Sequence, residues 1–245
     1  MADPIVILEL VAPGVLDEDL VGLPDVLEGK GYTSRPSLQR QMTRGQLDVA
    51  RASLIAGRLP FVMGGLSALR RIVPEPLDYL NAPAEVVRRR IWPSTLGAVS
   101  SALDRGDPPL FVKPRGRAKS FTGRVVTAPD DLLGIRVRSP RSPVWCSEVV
   151  EFRTEHRVFV LRGEIIAVRQ YEGEQSDLDA QSAEQTIAPI RSALPDGCAV
   201  DLGTLATGEV VLVEANDGFS LGRYGLAADL YAEVLLARWA QLTAR

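Results

Sequence analysis

The spacing of apolar and polar positions changes along the chain, and it predicts two kinds of structure. In the first part, continuous apolar runs alternate with stretches of helical spacing. The predicted elements are a strand at 4–11, a helix at 37–56, a strand at 59–63 that meets Gly64-Gly65, a helix through 67–71 and a helix at 84–103. Strand, glycine turn and helix in succession indicate an α/β layer.

The pattern changes near residues 104–109, where charged residues, a glycine and two prolines follow one another. Beyond them, short apolar runs predict strands at 110–113, 123–127, 144–150, 157–161, 164–170, 200–205 and 210–216. Helical spacing over 227–242 predicts a final helix that faces the core. We therefore expect an α/β N-terminal subdomain at 1–104 and an α+β domain with antiparallel sheets at 105–245.

Composition narrows the classes of function. The 245 residues are 46% apolar and 24% charged, which is ordinary for a globular chain with a sizeable core. A net charge of −3 provides no basic field that would recruit nucleic acid. No apolar run approaches the roughly 18 residues of a membrane span, and the N-terminus lacks a cationic leader, so we expect a cytoplasmic protein without membrane partners.

Cysteine and histidine are too scarce for several common kinds of site. Cys146 and Cys198 are the only cysteines, and their spacing does not resemble that of a zinc site, so buried thiols are expected. His156 is the only histidine. A serine or cysteine hydrolase relay is therefore not expected unless His156 is its base.

The hairpin at 200–216 carries the most informative group of polar residues. If its loop has two residues, Ala206 pairs with Glu209, and Asp201 then lies directly opposite Glu214. Asn216 shares the face of Glu214. Carboxylate and amide oxygens suit Mg²⁺ better than zinc. The alternatives are a solvated acidic face, or a three-residue loop that turns Asp201 to the opposite side.

A cationic loop follows the strand at 110–113. Lys113 ends this strand, and the loop after it contains Lys119, Ser120, Thr122 and Gly123. Ammonium groups, hydroxyls and glycine amides are groups that bind phosphate. The loop lacks the Gly-Lys-Ser/Thr ending of a Walker loop, and the alternative is a solvated basic loop.

Two further stretches offer candidate binding groups. The edge of the strand through Glu148, Val149 and Val150 can present backbone groups to an adenine. Arg157 and Arg169 lie on successive strands, where a three-residue turn would place them on one face and a two-residue turn would separate them. The sequence leaves both registers open.

In this order, the motifs resemble those of an ATP-grasp domain. The residues that carry the resemblance are Lys113-Pro114, the loop 119–123, Ser147-Glu148-Val149-Val150, Glu155-His156-Arg157, Asp201 and Glu214-Ala215-Asn216-Asp217-Gly218. Together with Arg89-Arg90-Ile91-Trp92, the set is most similar to the clade named for one arginine and two lysines. The resemblance covers roughly 83–226.

The resemblance implies that ATP lies between two α+β lobes. Adenine would contact Glu148, Val149 and Val150, and Glu155 would lie near the ribose. The phosphate contacts would come from Lys113, Lys119, Ser120, Thr122, Gly123 and one of Arg89 and Arg90. Asp201, Glu214 and Asn216 match the magnesium ligands of the family, and Arg169 matches an arginine that steadies the phosphorylated intermediate, with Arg157 as a second catalytic arginine.

The activity implied is that of an ATP-grasp ligase. Such enzymes use ATP to convert a carboxylate into an acylphosphate, which an amine attacks to form an amide or peptide bond with release of ADP. The expected substrates are an amino acid or peptide acid and an amine, and a homodimer could complete a small substrate pocket. The alternatives are a small-molecule kinase of the same fold and a non-catalytic nucleotide-binding protein. The acidic segment 172–179 and the segment 218–225 are candidate substrate regions, with a surface loop and a simple turn as their alternatives.

Overall fold

The structure is a computed structural model that describes residues 4–117, 120–133, 135 and 139–244. The strands are β1 (Ile5–Ala12), β2 (Val15–Leu16), β3 (Thr33–Leu38), β4 (Ala52–Ala56), β5 (Ile91–Thr95), β6 (Leu110–Pro114), β7 (Arg124–Val126), β8 (Pro143–Glu148), β9 (Phe152–Leu161), β10 (Glu164–Gly173), β11 (Gly197–Leu205) and β12 (Val210–Asp217). The α-helices are α1 (Leu23–Gly29), α2 (Gln39–Thr43), α3 (Leu59–Ala68), α4 (Ala84–Val87), α5 (Leu96–Asp104), α6 (Ala180–Ile187) and α7 (Ala228–Thr243). Short 3-10 helices lie at Glu18–Leu20, Val49–Arg51, Pro129–Leu132, Ala188–Ala193 and Gly218–Ser220.

The N-terminal sheet is built around β1. This strand pairs in parallel with β3 and β4 and antiparallel with β2. Its continuous apolar run is buried, as expected for a central strand covered on both faces. The C-terminal helix α7 packs on this core through Trp239 and neighbouring apolar residues, so the two ends of the chain share one hydrophobic cluster.

Three of the local predictions in this half are wrong. The stretch 37–56 contains the short helix α2 and the strand β4 instead of one helix. The run at 59–63 belongs to the helix α3, which starts with Pro60 in its first turn. Gly64 and Gly65 lie inside this helix, where a Cβ on Gly65 would come within 2.5 Å of Ile55. The glycines therefore allow the helix to pack closely on β4. The stretch 84–103 contains α4, β5 and α5.

The second sheet has the strand order β5-β8-β6-β7, and all its pairings are antiparallel. Its apolar face packs on α5. The division of the chain after Asp104 stays a prediction. β5, which precedes this point, is hydrogen-bonded to β8, which follows it.

The third sheet has the strand order β10-β9-β11-β12 and is also antiparallel. Val158 and Val200 on one face pack with α6, whereas Phe159 and Ala199 on the other face join the N-terminal core. The chain thus combines an N-terminal mixed sheet and helices with antiparallel sheets, which confirms the predicted fold class. Across the described ranges, no helix is both long and apolar enough to cross a membrane.

Candidate functional site

Four charged residues lie in one line across the third sheet. Arg169 on β10 is paired with Arg157 on β9, Arg157 with Asp201 on β11, and Asp201 with Glu214 on β12. Directly opposed residues of antiparallel strands share a face of the sheet. One face therefore carries two cationic positions followed by two acidic positions, and this set is called the charged row below.

The pairing of Asp201 with Glu214 arises differently from the expectation. The β11–β12 loop closes with the Leu205 N–H donating to the Glu209 carbonyl at 2.9 Å, so three residues separate this pair and the predicted two-residue loop is wrong. A β-bulge at Val213 then shifts the register by one residue and restores the predicted pairing of Asp201 with Glu214.

A second bulge aligns the two arginines. The β9–β10 turn has two residues, Arg162 and Gly163, both with positive φ. This turn alone would separate Arg157 from Arg169. The register shifts between Ile165 and Ala167, however, and the two arginines become directly opposed.

Arg157 and Asp201 form a buried ion pair. The Arg157 Nε and Nη2 atoms donate to the two carboxylate oxygens at 2.8 and 2.7 Å, and only 8% and 3% of the two side chains are exposed. The Asn216 Nδ2 atom donates to the same carboxylate at 2.9 Å. Burial raises the pKa of the Asp201 carboxyl, and the two donors oppose this rise. For Arg157, burial alone would lower the pKa, but Asp201 raises it above the ordinary value.

Lys113 lies between two carboxylates. Its Nζ atom is 2.6 Å from Glu214 Oε2 and 2.6 Å from Asp78 Oδ1, and it lies 4.7 Å from the centre of the Tyr79 ring. Burial would lower the pKa of Lys113, but the neighbouring acids raise it above its ordinary value. The second oxygen of Asp78 accepts from the Trp145 indole N–H at 2.8 Å.

A cavity of about 590 Å³ opens beside this lysine, between the N-terminal lobe and the third sheet. Among the predicted site residues it is lined by Lys113, Thr122, Gly123, Glu214 and Asn216. The loop before α3, the segment after Pro74 and the segment 219–222 complete its wall. Ser120 is exposed, and Lys119 lies outside the described residues.

Arg89 and Arg90 have different surroundings. Arg89 donates to the carbonyls of Leu212 and Val213 at 2.8 and 3.0 Å, next to the β12 bulge. Burial lowers the pKa of Arg89. Arg90 is exposed and stacks on the Trp92 ring at 4.6 Å. The contact of either residue with a nucleotide stays a prediction.

The predicted adenine and ribose contacts lie near the link between the two antiparallel sheets. Glu148 ends β8 and accepts from the Arg90 backbone N–H at 2.9 Å, and Val149 is exposed. Glu155 shares the strand of Arg157 and accepts from the Tyr171 hydroxyl at 2.6 Å. Burial raises the pKa of Glu155. The roles of these residues, and that of Val150, stay predictions.

Several residues at the site carried no signal in the sequence. Asp78 and Tyr79 follow a proline-rich segment and reach Lys113 only through the tertiary fold. Tyr224 covers the Arg157 guanidinium at 4.1 Å, and Tyr171 packs edge-on against the Tyr224 ring. Such aromatic neighbours hold a guanidinium in place, but their distance along the chain hides the contact from any local pattern.

The polar atoms of the charged row are chemically suited to a hard cation. Among the described residues there is no group of three or more His, Cys, Asp or Glu side chains that could hold a metal ion. Two carboxylates and the Asn216 amide nevertheless provide three oxygen-bearing groups at neighbouring positions. In this arrangement Arg157 and Lys113 are the partners of the carboxylates, so the site carries its own countercharges.

Comparison with solved structures shows the same fold over nearly the whole chain. D-cycloserine synthetase DcsG aligns with a TM-score of 0.61 at 17% identity, covering 96% of this chain and 99% of that chain. ATP-grasp ligase PsnB in complex with its minimal precursor gives 0.57 at 13% identity, with 97% and 100% covered. D-alanine–D-alanine ligase from Bacillus anthracis gives 0.57 at 14% identity, with 98% and 96% covered.

Sequence comparison identifies the family, although no curated protein matches the chain significantly. The profile for the ATP-grasp domain of family 2, in the clade named for one arginine and two lysines, matches residues 87–234. This match is more than half of the chain and includes the whole charged row. The chain therefore belongs to this clade of ATP-grasp proteins.

Proposed function

We propose that this protein is an ATP-dependent carboxylate–amine ligase that forms an amide or peptide bond through an acylphosphate and releases ADP. The observation that carries the proposal is the charged row beside Lys113 and the cavity. Transfer of a phosphoryl group to a carboxylate brings several negative charges together, and catalysis consists mainly of positioning and neutralising them. The row and Lys113 offer both functions.

Magnesium fits the acidic half of the row in this proposal. Asp201, Glu214 and the amide oxygen of Asn216 are hard oxygen donors, which is the ligand type that Mg²⁺ prefers. A bound magnesium ion would bridge and neutralise phosphate oxygens. Arg157 and Lys113 would then be released in part from these carboxylates and would become available to other anions.

The cationic groups divide the remaining work. Lys113 lines the cavity and would neutralise the phosphates of ATP, together with Lys119 and the loop through Ser120, Thr122 and Gly123. Arg157 and Arg169 would hold the acid and the developing oxyanion. No nucleophilic side chain is needed, because the substrate carboxylate attacks the γ-phosphate and the amine then displaces phosphate from the acyl carbon. The enclosing cavity would keep water from the acylphosphate.

The rest of the nucleotide is proposed to extend toward the link between the sheets. Adenine would lie against Glu148, Val149 and Val150, with the ribose near Glu155, and one of the two arginines at 89 and 90 would approach the phosphates. Structures of the same fold support these partners. PsnB has been solved with a precursor peptide and AMPPNP, and with a minimal precursor, magnesium and ADP. An amino acid or peptide substrate is the corresponding proposal for this chain.

The decisive test is an ADP-release assay with Mg·ATP and a panel of amino acid and peptide acids and amines. Release of ADP and phosphate that requires both an acid and an amine supports the ligase. ADP with a stable phosphorylated product would identify the kinase instead, and an enzyme that binds ATP without turnover over the whole panel would contradict catalysis.

A pair of variants shows whether turnover belongs to this site. Glu214→Gln removes one metal-ligating charge from a half-buried position and should abolish magnesium-dependent turnover. Glu209→Gln changes an exposed acid at the far end of the same hairpin and should leave turnover unchanged. Equal activity of the wild type and Glu214→Gln would refute the proposed metal site.

A further inference from the structure

Asp78 is fixed more firmly than a surface acid would be. One carboxylate oxygen contacts Lys113 Nζ at 2.6 Å, and the other accepts from Trp145 Nε1 at 2.8 Å. Its carbonyl accepts from the Ala215 N–H on β12 at 2.6 Å, and its φ is +47°. Side-chain and backbone contacts thus hold the carboxylate in one orientation, at a position that precedes the matched family stretch 87–234.

The second partner of Lys113 has a competing task. Glu214 contacts the same ammonium at 2.6 Å, and the proposed function makes Glu214 a metal ligand. A carboxylate that coordinates a cation is a weaker acceptor for an ammonium group. Because only 11% of the Lys113 side chain is exposed, water cannot readily replace the lost partner.

We propose that Asp78 is a positioning residue for Lys113, which keeps the ammonium group at the cavity wall when Glu214 binds the metal ion. The inference rests on the proposed nucleotide site. Trp145 has a supporting role, because its N–H prevents the carboxylate of Asp78 from rotating away. The Tyr79 ring closes the remaining side of the ammonium at 4.7 Å.

Simple electrostatics predicts the opposite effect of removing this acid. A negative charge beside the phosphates repels them, so its loss should tighten nucleotide binding if charge alone mattered. If Asp78 positions Lys113, its loss should weaken binding. The sign of the change therefore distinguishes the two roles.

Asp78→Asn is a suitable probe because asparagine tolerates positive φ. The amide offers one oxygen to two donors, so either Lys113 or Trp145 loses its partner. Asp19→Asn is the matched control. Asp19 lines the same cavity, but its hydrogen bond is to the Arg223 backbone N–H, which asparagine can still accept.

The experiment measures the affinity of AMP-PNP with magnesium by calorimetry for the wild type, Asp78→Asn, Asp19→Asn, Lys113→Met and the double variant Asp78→Asn/Lys113→Met. Asp78→Asn should bind about 10- to 100-fold more weakly, as expected when a charge-assisted contact is lost. Asp19→Asn should bind at least as tightly as the wild type. The double variant should bind no more weakly than Lys113→Met, because Asp78 acts through the lysine.

Each other outcome has a definite meaning. Unchanged or tighter binding by Asp78→Asn, or additive losses in the double variant, overturns the role of Asp78 and leaves the nucleotide site intact. A wild type that does not bind AMP-PNP overturns the proposed function and this inference together. If Asp78→Asn does not fold, Trp145→Phe replaces it, and the same comparison with Lys113→Met applies.

Discussion

The buried pair of Arg157 and Asp201 leads to a prediction about stability. Asp201→Ala would leave the guanidinium without its bidentate partner at a position where only 8% of the Arg157 side chain is exposed. The sequence alone presents Asp201 as a ligand whose loss spares the fold. In the structure, removal of one member of a buried pair should cost about 3–5 kcal/mol.

This cost should be visible in thermal denaturation. For a chain of this size, about 2–4 °C of midpoint correspond to 1 kcal/mol, so Asp201→Ala should melt roughly 6–20 °C below the wild type. The double variant Asp201→Ala/Arg157→Met provides the control. It removes both charges and should melt above Asp201→Ala, because no unpaired charge stays buried.

Circular dichroism at neutral pH, without nucleotide or metal, separates this effect from ligand binding. A midpoint within about 2 °C of the wild type would place the cost of Asp201→Ala below roughly 1 kcal/mol, which is the range of an exposed ion pair. A double variant less stable than Asp201→Ala would likewise contradict the argument, since it would show that the guanidinium stabilises the fold without its carboxylate.

Three further predictions test the surroundings of the site. Arg89→Met should lower the free energy of unfolding in urea by about 2–3 kcal/mol because buried carbonyls lose their donor, whereas the exposed Arg90→Met should change it by less than about 0.5 kcal/mol. Gly218→Ala should cost more than about 1–3 kcal/mol in the same assay, because the new Cβ would lie 2.1 Å from the Gly197 carbonyl oxygen, and a stable variant would contradict this close approach. Burial raises the pKa of the Cys198 thiol from 9.0 to about 12, so the unfolded chain loses this proton first and stability should fall between pH 9 and pH 12; the slope from this thiol is at most about 1.4 kcal/mol per pH unit, and Cys198→Ala should show a smaller fall.

The antiparallel strands were predictable because their signals are local. Each of β6 to β12 contains a run whose apolar positions and flanking turn residues lie within a few positions of one another. The run at 59–63 failed for the same reason. Five apolar residues fit a buried strand and a buried helix equally well, and only Pro60 in the first turn and the close approach of Gly65 to Ile55 distinguish the helix.

The site was predictable as a set of residue types, but its assembly was not. Lys113, Asp201 and Glu214 were recognised from motifs whose order along the chain is characteristic. Asp78 approaches Lys113 through a loop contact that spans 35 positions of sequence and has no periodic signature. Residues of this kind become visible only when the fold brings separate segments together, which is why the countercharges of the site were missed.

The two bulges explain how this sheet separates its turns from its site. Each hairpin closes with the loop that suits its local sequence, and each loop alone gives a register that would scatter the charged row. One extra residue in β10 and one in β12 correct the register between the loop and the row. In β12 the bulge carbonyls are held by Arg89, which lies at the start of the family stretch. Arg89 therefore supports the position of Glu214 through the backbone, independently of any contact with a nucleotide.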